Sequence, residues 1–188
     1  PTILYSMTAK IADVRETITS EFKAAGDAMY QLGATYDDLG GSEFYKLFGE
    51  LGANVPLVRK EAAKALYIKV MAAHDERLIA SSHDLSDGGL AVALTECAFG
   101  TGFGAEIDLA PFEHLSAAAA LFAESHSRFV VTVKPEHCAR FDAILGDMAM
   151  RLGAVSATPV LRIQQHGTPL IHADVDALLA AWNNGLTR

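Results

Sequence analysis

The eight residues His83-Asp-Leu-Ser-Asp-Gly-Gly-Leu90 constrain the chain more than any other segment, because they fit only a tight junction between two unlike elements. Residues 78–82 before them read as a strand. After them Leu90, Leu94, Cys97 and Ala98 recur at helical spacing and make one apolar face. A strand-to-helix junction gathers unpaired N–H groups and the positive end of a helix dipole. Gly88 and Gly89 let a ligand approach the backbone closely. Asp84 and Asp87 would repel a bare anion but suit a hard cation such as Mg²⁺, which takes one or two carboxylates and completes its shell with phosphate oxygens. The same residues also fit a plain helix start, with Ser86 or Asp87 as the N-cap and the glycines as a turn. The pattern leaves both readings open.

Strand-like and helix-like segments alternate on either side of this junction with no linker and no short repeat. Residues 3–11, 28–34, 105–109, 129–133, 155–164 and 169–173 read as strands, the stretch Phe129-Val-Val-Thr-Val133 as a buried one. Residues 13–19 read as a short helical or turn stretch, and 49–56 as a loop. Helices are expected over 43–48, 58–73, 116–123, from Pro135 to about Met150, and from Val175 to about Asn184 behind an Asp174 cap. In the 58–73 helix, Ala62, Leu66, Val70 and Ala73 share the inward face. Such mixing predicts an α/β or α+β domain with helices covering a sheet.

Two further segments carry chemistry. Leu39-Gly40-Gly41-Ser42-Glu43 again sets Gly-Gly before a helix start, so it reads either as an anion cradle or as a Ser-capped loop. Glu124-Ser125-His126-Ser127-Arg128 crowds the mouth of the 129–133 strand. There Arg128 can meet a phosphate or carboxylate, or pair with Glu124 across the turn.

Composition removes several function classes. Against 15 basic residues stand 23 acidic ones, a net charge of −8 with no basic block, which argues against nucleic acid and anionic membranes as partners. No apolar run approaches the ~18 residues of a membrane span. Cys97 and Cys138 form neither a CxxC nor a zinc spacing, which points to a reducing, cytoplasmic setting. There is no P-loop, no HExxH and no GxSxG, and Gly100-Thr-Gly-Phe-Gly104 runs into a strand where a dinucleotide fingerprint needs a helix. The chain opens on Pro1 without Met or a charged leader and reads as one domain, residues 1–188, excised from a longer chain.

Taken in order, LGATYDDLGGSEFY (32–45), SSHDLSDGGLAVALTE (81–96) and ESHSRFVVTV (124–133) resemble the C-terminal domain of the synthetase subunit of the phosphoribosylformylglycinamidine synthase family. HDLSDGGL marks a wider superfamily that includes aminoimidazole ribonucleotide synthetase, selenophosphate synthetase, thiamine monophosphate kinase and a hydrogenase maturation protein. LGGSEFY with ESxSRF narrows it. The resemblance implies a three-layer α-β-α domain with a mixed sheet, like the C-terminal domain of aminoimidazole ribonucleotide synthetase. It implies a ligase that uses ATP, Mg²⁺ and glutamine-derived ammonia to turn formylglycinamide ribonucleotide into formylglycinamidine ribonucleotide. The implied partners are N-terminal ATP-binding and substrate domains of the same chain, a glutaminase subunit and a small bridging subunit.

Within that family the chain resembles the second of two pseudo-symmetric copies. Asp84 matches a Mg²⁺-binding Asp of the first copy, and Glu124, Ser125 and His126 match a substrate-contacting segment. The resemblance thus adds to the edge of candidate ligand residues already read from the pattern: Gly40, Gly41, Ser42, Asp87, Gly88, Gly89 and Arg128. The catalytic His of the family lies in an N-terminal domain, so no catalytic residue is assigned here. Against the ligase stand a non-catalytic assembly or auxiliary nucleotide-binding module and the corresponding domain of another superfamily enzyme.

Overall fold

The structure, a computed structural model, describes residues 6–185. In chain order its elements are β1 (Ala28–Leu32), α1 (Glu43–Lys46), α2 (Lys60–Asp75), β2 (Ile79–Asp84), α3 (Gly89–Ala98), β3 (Gly104–Asp108), α4 (Ala117–Phe122), β4 (Phe129–Val133), α5 (Cys138–Leu145), β5 (Ala149–Ser156), β6 (Val160–Gln165), β7 (Thr168–Asp174) and α6 (Val175–Gly185). The strands form one mixed sheet in the order β2-β4-β1-β5-β3-β6-β7. Every neighbouring pair is antiparallel except β3 and β6, which run parallel.

Alternation along β1 and β4 sorts side chains to two faces. Ala28, Tyr30 and Leu32 of β1, with Val131 and Val133 of β4, meet Leu66 and Ala73 of α2 and Phe141 and Leu145 of α5. Met29 and Val130 point the other way, into a cluster with Leu90, Leu94 and Cys97 of α3, Ala120 and Leu121 of α4, and Val175 of α6. Two helical layers therefore sandwich the sheet. This is the three-layer α-β-α arrangement, and it explains why β1 and β4 are mostly apolar on both faces, with only Gln31 and Thr132 polar. The inward face read for α3 is buried as expected.

Four local expectations need correction. The helix expected from Pro135 to about Met150 starts as a 3₁₀ turn, becomes α5 and stops at Leu145, where Gly146 takes φ 59°. A left-handed glycine ends a helix, and residues 149–156 go instead to β5 beside β1. The strand expected over 155–164 is two strands. Thr158 N donates to Ser156 Oγ (3.1 Å) and Val160 N to Thr158 O (2.8 Å), so the Ser-Ala-Thr-Pro stretch turns, and β3 then lies between β5 and β6. In α2 Ala63, not Ala62, joins Leu66 and Ala73 inside, a shift of one position around the helix. The strand expected at 3–11 lies outside the described residues up to 5, and residues 6–11 are exposed and not in a strand.

Cys97 is fully enclosed on α3, and burial pushes its thiol up to about 12, which leaves no thiolate for chemistry near neutral pH. Among the described residues no helix is long and apolar enough to cross a membrane.

Phe141 is buried, with its ring 5.0 Å from that of Tyr30. Phe141→Ala is expected to cost about 3–5 kcal/mol in urea unfolding. Met71→Ala, on the exposed side of α2, is expected to cost less than about 0.5 kcal/mol.

Candidate functional site

The end of β2 pairs with the start of β4, Asp84 opposite Phe129, and Leu85 N donates to Arg128 O (3.1 Å). This pairing brings the 83–90 turn against the 124–128 segment. Leu85 is buried, whereas Asp84, Ser86 and Asp87 are exposed. Ser86 Oγ donates to Asp84 Oδ2. The partly buried His83 sets Nδ1 2.6 Å from Asp84 O and Nε2 3.2 Å from Glu96 Oε2.

Neither Ser86 nor Asp87 caps α3. The N-cap is Gly88, at φ 75°, and no side chain of the turn supplies the cap. A remote carboxylate does so instead, for Gly88 N donates to Glu124 Oε1 at 2.9 Å. Gly89, at φ 63°, is pressed against the end of α4. A Cβ there would lie 2.6 Å from Ala123 O and 2.9 Å from Leu121 O. These are backbone atoms that cannot move aside, so glycine is a steric requirement at that position.

The second Gly-Gly start converges on the same carboxylate. Ser42 caps α1 by accepting from Tyr45 N (3.2 Å), as its position suggests. Gly40 N donates to Asn54 O (2.8 Å) and Gly41 N to Leu51 O (2.6 Å). Ser42 N donates to Leu39 O (3.2 Å), and the amide after it, Glu43 N, donates to Glu124 Oε1 at 2.9 Å. Two amides read from sequence as places for an outside anion therefore hold an internal one.

Arg128 belongs to the interior. It is 2% exposed, and it donates from Nε to Ser125 O (2.8 Å), from Nη1 to Thr35 Oγ1 (2.9 Å) and from Nη2 to Ala123 O (2.6 Å). Among the described residues it makes no ion pair with Glu124. Burial lowers its pKa to about 10, while the charges of Asp38 and Glu124 pull the other way, so it is cationic at neutral pH. Ser125 is also enclosed and accepts from Tyr36 N (3.1 Å). His126 is exposed. Ser127 has φ 60° and accepts from Tyr67 Oη (3.0 Å).

Asp84 and Asp87 stand on a ridge between two open clefts. One, of 540 Å³, is lined by His83, Glu96, Glu43 and Trp182. The other, of 370 Å³, is lined by Glu124, His126 and Phe129. A larger cleft of 670 Å³ lies between residues 13–23 and the end of α2, and none of the residues singled out from sequence lines it. Among the described residues no three His, Cys, Asp or Glu side chains converge on one point. The donor set thus fits a Mg²⁺ ion only as a one- or two-carboxylate edge, with phosphate oxygens or other protein groups completing the shell.

Sequence reasoning missed Thr35, Asp38, His83 and Glu96. Thr35 accepts from both Arg128 and Gln31 Nε2 (2.8 Å), and Asp38 O accepts from Glu124 N (3.2 Å). DD in the 32–45 segment was the available signal, since a buried Asp needs a nearby cation.

The family described as AIR synthase related protein, C-terminal domain, matches residues 24–166. Among solved structures the fold is similar to Thermotoga maritima PurL complexed with FGAR, with TM-score 0.76 and 22% identity over 88% of this chain and 30% of that one. It is similar to PurLQS from the same organism (0.73, 22%, 88% and 28%). It is also similar to Escherichia coli HypE, a hydrogenase maturation protein (0.58, 20%, 85% and 52%). The chain thus spans less than a third of the PurL chains it matches.

Arg128→Met would leave the buried Ser125 and Ala123 carbonyls without this donor and take one of two donors from Thr35 Oγ1, and a loss of about 3–5 kcal/mol is expected in chemical denaturation. Gly89→Ala is expected to destabilise by about 2 kcal/mol or more through clash and left-handed strain. Asp87→Ala, exposed on the ridge, should stay within about 0.5 kcal/mol of the parent.

Proposed function

The chain belongs to the family of AIR-synthase-related C-terminal domains, and on that premise we propose that it is the C-terminal domain of the synthetase subunit of a phosphoribosylformylglycinamidine synthase. In this reading residues 1–188 are one domain of a longer cytoplasmic ligase that makes formylglycinamidine ribonucleotide from formylglycinamide ribonucleotide, ATP and ammonia. Its partners are the N-terminal ATP-binding and substrate domains, a glutaminase subunit and a small bridging subunit. The observation that carries the reading is the meeting of the GGSEFY, HDLSDGGL and ESHSRF segments at one carboxylate, with Glu124 Oε1 2.9 Å from both Glu43 N and Gly88 N. Of these, HDLSDGGL belongs to the whole superfamily, and GGSEFY together with ESHSRF narrows it to this enzyme.

The contribution of this chain is an edge. Asp84, exposed on the ridge with Asp87, would hold a Mg²⁺ ion, which would supply charge neutralisation to nucleotide phosphates. Ser86 orients Asp84 by donating to Oδ2. His126 stands exposed at the 370 Å³ cleft. Glu124, Ser125 and Arg128 support that edge from below, since their polar atoms engage the protein itself. That internal engagement favours an auxiliary nucleotide site over a catalytic one, and the 188-residue chain alone should form no product.

The test is amidination by the native polypeptide that carries this chain, captured with an antibody raised against it. Product from formylglycinamide ribonucleotide, ATP, Mg²⁺ and ammonia is expected from that polypeptide and not from the chain alone. Product formed by the chain alone, or turnover of selenide or thiamine monophosphate in place of amidination, would overturn the reading. In the active polypeptide Asp84→Asn is expected to weaken ATP binding in the presence of Mg²⁺ about tenfold, with melting unchanged.

A further inference from the structure

Residues 40–54 form a flap that closes on itself. Gly40 N reaches Asn54 O, Gly41 N reaches Leu51 O, and Gly52 lies under the Tyr45 ring. The flap has little core of its own. Leu47, Phe48 and Leu51 are 82%, 65% and 76% exposed. It is fastened to the body through Asn54 Nδ2, which donates to Asp37 Oδ2 (3.2 Å), and at the end of α4. There Phe44 stacks on Phe122 with ring centroids 4.9 Å apart, and Glu124 Oε1 takes Glu43 N. That same oxygen holds Gly88 N of the 83–90 turn, which lines both clefts. Flap and turn therefore share one acceptor atom. Arg128 fixes it, since the guanidinium grips the carbonyls of Ala123 and Ser125 on either side of Glu124.

We propose that Glu124 is a positioning residue that couples closure of the 40–54 flap to the state of the 83–90 turn, by holding Glu43 N and Gly88 N on one carboxylate oxygen. Whatever displaces the turn loosens the flap, and the converse follows from linkage. The coupling is a property of this chain alone and does not rest on the enzyme reading.

Amide hydrogen exchange on the 188-residue chain tests it. In Glu124→Ala the Gly88 amide and the amides of 43–54 should exchange about tenfold faster together, with the α2 and α5 amides unchanged. Gly88→Ala, whose new methyl would meet Val92 Cγ2, should speed flap exchange in the parent chain and add nothing in the Glu124→Ala background. A flap that ignores Glu124→Ala would overturn the proposal. So would a flap that ignores Gly88→Ala, or one that answers it equally in both backgrounds. Should Glu124→Ala fail to fold, Glu124→Gln keeps an acceptor oxygen and decides the matter. A smaller rise shared by flap and Gly88 supports the coupling, and a rise in one alone, or in neither, overturns it.

Discussion

Arg128 lies at the bottom of the region where the three motif segments meet, and its guanidinium has to be there before anything above it can be. A buried cation is costly unless its donors are used and opposite charge is near. Here Ser125 O, Ala123 O and Thr35 Oγ1 take the donors, and Asp38 and Glu124 supply the charge. Two of those acceptors flank Glu124 in sequence, so satisfying the cation sets the backbone that aims the carboxylate. The carboxylate in turn satisfies an N–H group at each of two helix starts, Glu43 N and Gly88 N, where the helix dipole favours negative charge. Removal of Glu124 would leave the buried Arg128 with Asp38 alone as its opposite charge.

Much of the architecture was legible because burial on both faces leaves a one-dimensional trace. Phe129-Val-Val-Thr-Val133 could hardly be anything but an inner strand, and it is β4 to the residue. The α3 face was readable for the same reason, and Ser42 was readable as a cap because its contact is local. Errors fell where non-local pairing overrides propensity. Residues 149 and 150 read as the end of a helix, yet β1 needs a partner on its second side and takes them into β5.

The site was legible in its location and less so in its wiring. A Gly-Gly helix start announces unpaired amides, but nothing in the local sequence tells which anion fills them. Glu124 is 36 residues from Gly88 and 81 from Glu43, so its double contact exists only in three dimensions. Arg128 misled for a related reason: an arginine at a strand mouth looks the same in sequence whether it faces a ligand or carries the wall behind one. The exposed pair Asp84 and Asp87 lies on a ridge that both clefts share.

The strand order carries a consequence for how the chain is made. β1 is the first strand in the described residues and lies inside the sheet, where Ala28 pairs with Val133 on one side and Ala154 on the other. On a ribosome it emerges with neither neighbour in existence, and at ordinary elongation rates it waits roughly 5–25 s for them. For that time the Met29 and Tyr30 faces are apolar and unsheltered, beside a newly formed α2 that has nothing to pack on. Until β4 and β5 are made, both edges of β1 stand open to any other strand, an exposure that the finished sheet removes.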